Sequence, residues 1–415
     1  MKKLSFWQTT AIGLGNIVGA GIFVMAGSAI NAAGPAALIA FMMTAALAMT
    51  VGLNSAELAS KMPEVEGGVY SFAKATLGDT VGFLVGWFRL ISYAISGAAV
   101  ALGFSGYFVS LGFSAALHFP LAVLLILALS YLEVRGIRMA ARAEVVLIIV
   151  NMLGLAAFVT TVLMMGKLTT SNFEPFFPQD AMGIFTAANI AFFAYSGFNT
   201  IATLTPDVQD GDKTVPHAIL FSLIISTILY ELVVFSLLLA LNWASYGSLS
   251  NPLSIALSSI GAPIPISLVV AFSALTATLS VTLSLIIAGS RTTKQMGEDG
   301  TLPKIFGKGS WIPTMVVSGI MITSLGLGNV MSIALVANFG VIFSYLLSGL
   351  EVIMARKRRL IGRFLSPAYP LVQIFSIALS AIMLTMLGIQ SLMVGTATLV
   401  IGLVVHLIQN ESRRV

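Results

Sequence analysis

The stretch GLGNIVGAGIF, residues 13–23, holds four glycines: Gly13, Gly15, Gly19 and Gly21. Each weakens a helix interior by roughly 1 kcal/mol relative to alanine. Gly15 and Gly19 stand in GxxxG spacing, which serves close helix packing. Gly21 follows Gly19 by two and falls off that face, so a packing seam does not require it, whereas a backbone leaving the helix does. Freed backbone has a specific chemistry in an apolar setting. The N–H groups at a half-helix N-terminus bind anionic groups, and unwound carbonyls hold cations. A second interruption, FFAYSGFN at 192–199, carries Gly197 at a similar depth in another apolar stretch. Paired interruptions in corresponding positions of two halves point to a substrate site inside a membrane carrier.

Other chemistry-bearing side chains are few. Ser273, Thr276, Ser280 and Ser284 recur at i, i+3, i+7 and i+11, one narrow helical face, with Thr278 and Thr282 opposite. Such a face is either glue between helices or a row of oxygen donors for a hard cation such as sodium. Glu231, in ILYELVVF, is the one acid near the middle of a span. A charge there costs at least about 2.5–3.5 kcal/mol, and apolar surroundings disfavour the ionised form. It is the candidate proton carrier, against the alternative of a protonated, hydrogen-bonded structural acid. Arg89, Glu57, Glu133, Glu144 and Glu351 lie nearer span ends, where they are expected to snorkel or pair. HExxH, GxSxG and paired aspartates within spans are missing, which disfavours an intramembrane enzyme. His118, His217 and His406 lack metal-ligand spacing, and the chain has no cysteine. Neither a metal site nor a cofactor is expected.

These residues need elements to position them. The chain has 415 residues, 58% hydrophobic and 9% charged, with a mean hydropathy of +0.99. Soluble domains average about 25% charged residues, so the solvent of this chain is a lipid bilayer. The net charge of +5 does not point to nucleic acid. At about 20 apolar residues per span, candidate spans fall near 8–32, 35–58, 80–112, 119–134, 144–166, 182–208, 215–242, 262–290, 312–327, 329–353, 369–387 and 389–408. A β-barrel would need alternation in ten-residue segments, which is lacking. With the N-terminus in the cytoplasm, inside loops collect Lys61, Lys74, Arg135, Arg138, Arg142, Lys213, Arg291, Lys294, Lys304, Lys308, the run 356–359, Arg363, Arg413 and Arg414. Outside loops collect only Lys167. This asymmetry puts both termini in the cytoplasm of a multi-pass protein of the cell membrane. Two interrupted spans five apart suit two five-helix units, 8–166 and 182–353, the second inverted, with 369–408 as two accessory helices. The expected fold class is all-α and integral to the membrane, with twelve transmembrane helices.

Four motifs in order carry a resemblance. GNIVGAGIF resembles the first-helix motif of the amino acid–polyamine–organocation superfamily, and FFAYSGFN its sixth-helix motif. PEVEGGVY at 63–70 is similar to the P-x-x-G-G-x-Y after its second span, and SRTTKQMGEDGTLP at 290–303 to the loop after its eighth. RAEVVLIIVN at 142–151 looks most like archaeal and bacterial broad-specificity amino acid permeases. The resemblance implies the five-plus-five inverted repeat, helices 1 and 6 discontinuous, and alternating access. It further implies that N–H groups of Ala20, Gly21 and Ile22, beside Gly19, bind a substrate carboxylate. Carbonyls matching Ile17, Phe193, Ala194 and Ser196 would hold the ammonium. Phe193, next to Tyr195, would cover the substrate, and Tyr93, Ser96, Gly97 and Ser284 match pocket positions. Two charge sites of relatives are neutral here: Asn151 stands for a fifth-helix lysine and Asn199 for a sixth-helix acid. Asparagine carries no proton, so coupling falls to Glu231, with Asn151 and Asn199 as the altered coupling positions. The expected partner is a neutral amino acid of small or medium size, since no acid sits beside the break to suit a cationic amino acid or polyamine. The coupling ion is expected to be the proton, with sodium, exchange or uniport as alternatives. Oligomeric state is not readable.

Overall fold

The computed structural model describes residues 3–414 except 64–67, 137–140, 167–168, 203 and 248–249, and not the side chains of 141–144 and 410–414. Part of PEVEGGVY, Arg138, Lys167 and Thr203 therefore lie outside the described residues, as do the side chains of Arg142, Glu144, Arg413 and Arg414.

The described chain is helical, with no β-strand and one isolated bridge, Leu4 to Val208. The α-helices are α1 (Phe6–Ile17), α2 (Ala20–Ala33), α3 (Ala37–Lys61), α4 (Val69–Leu77), α5 (Asp79–Ser110), α6 (His118–Val134), α7 (Ala141–Met165) and α8 (Asp180–Tyr195). They continue with α9 (Asn199–Ala202), α10 (Gly211–Ala240), α11 (Pro252–Ser259), α12 (Ile264–Glu298), α13 (Trp311–Ser324), α14 (Val330–Lys357), α15 (Leu371–Thr385) and α16 (Ile389–Arg414).

Helix falls in each of the twelve expected segments. Among the described residues, nine stretches are long and apolar enough to cross a membrane. Ala20–Lys61 counts there as a single stretch, and Trp311–Leu327 and Leu371–Thr385 are shorter apolar helices. The chain is a multi-pass membrane protein. Apolar side chains such as Leu124, Leu127, Leu153, Ile374 and Val404 stand exposed on α6, α7, α15 and α16. Such a surface is a liability in water and the ordinary outer face of a bundle in lipid. Packing is most extensive between α5 and α12, α5 and α14, α3 and α10, and α2 and α8.

One end of the bundle is tied by charge. Arg356 on α14 donates two 2.7 Å bonds to the Glu57 carboxylate on α3. Ser366 caps the same carboxylate through its N–H and hydroxyl, and Lys61 lies 3.6 Å away. Glu57 is fully buried, so this fork of donors offsets the cost of desolvating its charge. Lys74 on α4 meets Asp299 after α12 at 2.5 Å. Arg363 pairs with Asp212 on α10 at 3.1 Å.

One expectation needs correction here. Among the described residues, Arg89 and Glu351 neither snorkel nor form ion pairs: they are 4% and 1% exposed, and both Glu351 oxygens lack a hydrogen-bond partner. Their positions near span ends in sequence lie inside the bundle because α5 and α14 pack against one another there. The sixth span is interrupted within FFAYSGFN, where the sequence puts the second break. Its first helix, α8, ends at Tyr195, and the chain turns over 196–198 and resumes as the four residues of α9 before a 3₁₀ turn at Thr205–Asp207. Two short helices, α4 and α11, lie in connections between the expected spans.

Candidate functional site

The first interruption is a true break. α1 stops at Ile17, Val18 has φ −81° and ψ 51°, and α2 restarts at Ala20 behind Gly19. No side chain caps α2. The first-turn N–H groups of Ala20, Gly21 and Ile22 therefore have neither an intrahelical partner nor a capping side chain. They are buried, which makes the unfilled donors costly without an acceptor.

The glycines have separable roles. A Cβ on Gly15 would collide with Ile148 of α7, and one on Gly19 with Val281 of α12. The GxxxG pair thus packs against two different helices. A Cβ on Gly21 would overlap the Cα and Cβ of Ala194. This corrects the expectation that packing does not need Gly21: it lets α2 cross the end of α8 at backbone contact. Gly197 mirrors it, since a Cβ there would run into the Asn16 carbonyl and the Ile17 nitrogen. The two breaks cross each other, and each crossing requires a glycine.

A tyrosine joins them. The Tyr230 hydroxyl on α10 reaches the carbonyl of Ile17 at 2.6 Å and that of Ala194 at 3.0 Å. The Phe193 carbonyl takes the Ser196 hydroxyl at 3.0 Å, and the Ser196 carbonyl takes the Tyr345 hydroxyl at 3.2 Å. The four carbonyls expected to hold an ammonium therefore already lie against three hydroxyls, with the single Tyr230 proton shared between two of them. Each keeps a second lone pair. The Asn16 amide spans the breaks by donating to the Thr200 hydroxyl at 2.8 Å. Tyr230, Tyr345 and Asn16 escaped sequence reading because a lone polar group on an apolar helix makes no periodic pattern.

Other expected positions sort into separate surroundings. Ser284 lines a small cavity with Ser280, Asn16, Asn151 and Gly15, between α1, α7 and α12. The Asn151 amide, oriented so that its nitrogen donates, reaches Leu147 O, Ser273 O and the Thr276 hydroxyl at 3.0–3.2 Å. Ser273 donates to the Val150 carbonyl at 3.1 Å. The hydroxyl face of α12 is thus divided: Ser273 and Thr276 bind α7, while Ser280 and Ser284 face the cavity. Tyr93 and Asn199 line a second cavity beside α4, with Arg89 and Thr292. Gly97 faces Met321 of α13, and Ser96 is buried on α5. The Tyr195 ring packs edge-on to Tyr230. Its hydroxyl lies beside the Thr227 side chain and in electrostatic reach of Glu231, whose Oε1 is buried without a partner. Among the described residues, no group of His, Cys, Asp or Glu could hold a metal ion.

Two crossing broken helices inside an apolar bundle define a membrane carrier rather than an enzyme. The amino acid permease family model matches residues 4–407, and the chain belongs to that family. It is 28% identical to the branched-chain amino acid permease BcaP of Bacillus subtilis, over 99% of this chain and 93% of the relative. It is 29% identical to the methylthioribose transporter of the same organism, over 90% and 86%. Similarity extends to cationic amino acid transporter 1 of Arabidopsis thaliana, at 27% over 63% of this chain and 46% of the relative. The protein is an amino acid permease of the amino acid–polyamine–organocation superfamily.

Proposed function

We propose that this permease moves neutral amino acids across the cell membrane by alternating access, with uptake coupled to protons. The crossing of the two breaks carries the reading. On it, the N–H groups of Ala20, Gly21 and Ile22 take the substrate carboxylate, and carbonyls across the contact of Gly21 with Ala194 take the ammonium. An incoming ammonium shares those carbonyls with the Tyr230 hydroxyl or displaces it. Donors beside acceptors suit a zwitterion. The residues at the crossing are neutral, which favours a neutral side chain, and the BcaP relative favours a branched aliphatic one. Helices in all twelve segments support twelve crossings. The packing of α2 on α8, α3 on α10, α5 on α12 and α6 on α13 pairs each of the first four spans with the fifth one after it. That pattern supports the five-plus-five inverted repeat, with 369–408 appended.

Glu231 is the proposed proton carrier. Its buried, unpartnered oxygen, in electrostatic reach of the Tyr195 hydroxyl, supports this role. Sodium is the weaker reading, because the Ser280–Ser284 cavity offers hydroxyls and amides but no carboxylate.

The test is counterflow of labelled leucine by the purified chain in proteoliposomes. Leucine, isoleucine and valine should exchange, whereas leucinamide, N-acetyl-leucine and methylthioribose should not. Failure of every neutral amino acid would overturn the substrate assignment. Glu231→Gln should retain counterflow yet lose acceleration by an inward proton gradient. Acceleration equal to wild type would overturn the proton role alone.

A further inference from the structure

Arg89 is a guanidinium inside the bundle without a counter-charge among the described residues. It is 4% exposed, and its Nη2 donates to the Tyr93 hydroxyl at 2.8 Å. Tyr345 supplies a second hydroxyl neighbour. Hydroxyls satisfy hydrogen bonds but do not neutralise charge. Among the described residues, no carboxylate lies within ion-pair distance of Arg89, and its Nε is buried with no acceptor. A buried, unpaired charge is strongly unfavourable.

The second observation is independent. Asn199 is 2% exposed, and its Oδ1 accepts from Ser55 at 2.8 Å, which leaves Nδ2 as a buried donor without a partner. Arg89 and Asn199 line the same cavity beside α4, together with Tyr93, Thr200 and Thr292. Tyr93 accepts from Arg89, so its own proton remains to be given. Three donors thus converge, one of them cationic. The complement of such a set accepts hydrogen bonds and carries negative charge.

We propose that this cavity binds one small monovalent anion, a halide or a single carboxylate, between Arg89 and the Asn199 amide. The anion neutralises Arg89 at the foot of the second break, where Asn199 begins α9. The site is distinct from the N–H cluster of α2 and does not depend on which amino acid is carried.

Thermal unfolding of the purified full chain tests it at fixed ionic strength, with sodium gluconate as the bulky reference. Sodium chloride or sodium acetate should raise Tm with saturation. A rise with chloride alone assigns a halide, and a rise with acetate assigns a carboxylate. Arg89→Gln removes the cation and should abolish the rise. Asn199→Asp places a carboxylate in the cavity and should raise Tm in gluconate while cancelling the anion effect. If Arg89→Gln does not fold, Asn199→Asp alone decides. Equal Tm in chloride, acetate and gluconate would overturn the proposal, as would a rise that survives in Asn199→Asp.

Discussion

Gly21 and Tyr230 act on the same crossing from opposite directions. Gly21 admits the backbone of Ala194, and any Cβ at 21 must displace it. Overpacking of this kind costs about 1–3 kcal/mol, roughly a 5- to 150-fold loss in an equilibrium constant. Gly21→Val should therefore remove the leucine-induced rise in Tm while the protein still inserts and purifies as a monodisperse species. An undiminished ligand shift would remove Gly21 from the site. Tyr230→Phe keeps the ring packed on Tyr195 and Phe41 but takes the hydroxyl from two buried carbonyls. Leaving them short of a donor should lower Tm, at a cost of about 1–3 kcal/mol. It should also change leucine affinity if, as proposed, the ammonium and this hydroxyl compete for the same oxygens. The glycines were legible because their spacing has few structural uses. Tyr230 was not, although it stands next to Glu231, because its role comes entirely from long-range contacts with Ile17 and Ala194. Arg89 was legible as a charge but misplaced, since depth along a span does not reveal which face meets α14.

At the scale of elements, the short helix α4 is held by one polar cluster. The Asp299 carboxylate accepts from Lys74 at 2.5 Å, Tyr70 at 2.8 Å and Gln295 at 2.9 Å. Burial alone would push this acid up, but the three donors and the Lys74 charge hold it below the ordinary aspartate value. Burial and the Asp299 charge push the Tyr70 phenol up, so it stays protonated as a donor. The sign follows from linkage. A carboxylate held below its unfolded value stabilises the fold above about pH 4 and loses that contribution as pH falls through the folded value. Wild type should exceed Asp299→Asn in Tm at neutral pH, and the gap should close below about pH 4. A gap unchanged from pH 7 to pH 3 would refute the latch. Neither α4 nor α11 was legible as an element. Eight or nine residues are too few for a hydropathy signal, and α4 forms because Tyr70, Phe72 and Ala73 bury against the bundle. The long spans were legible because lipid demands about 20 apolar residues whatever the tertiary contacts.

Across the whole molecule, the basic residues supply an orientation that packing alone does not. Arg356 with Glu57, Lys74 with Asp299 and Arg363 with Asp212 tie the ends of α3, α4, α10, α12 and α14 to one face of the bundle. At the opposite end, Asn172 donates to Leu239 and Trp243 to Glu174, neutral contacts that close the loops there. Positive charge is retained on the cytoplasmic side during insertion, so we propose that the first face lies inside. The chain has no cysteine, which makes any introduced one a unique reporter. Ser245 and Lys308 are exposed in loops at the two ends. In intact cells, an impermeant maleimide should label Ser245→Cys and leave Lys308→Cys unmodified until the membrane is opened. The reverse pattern would invert the protein and both termini with it.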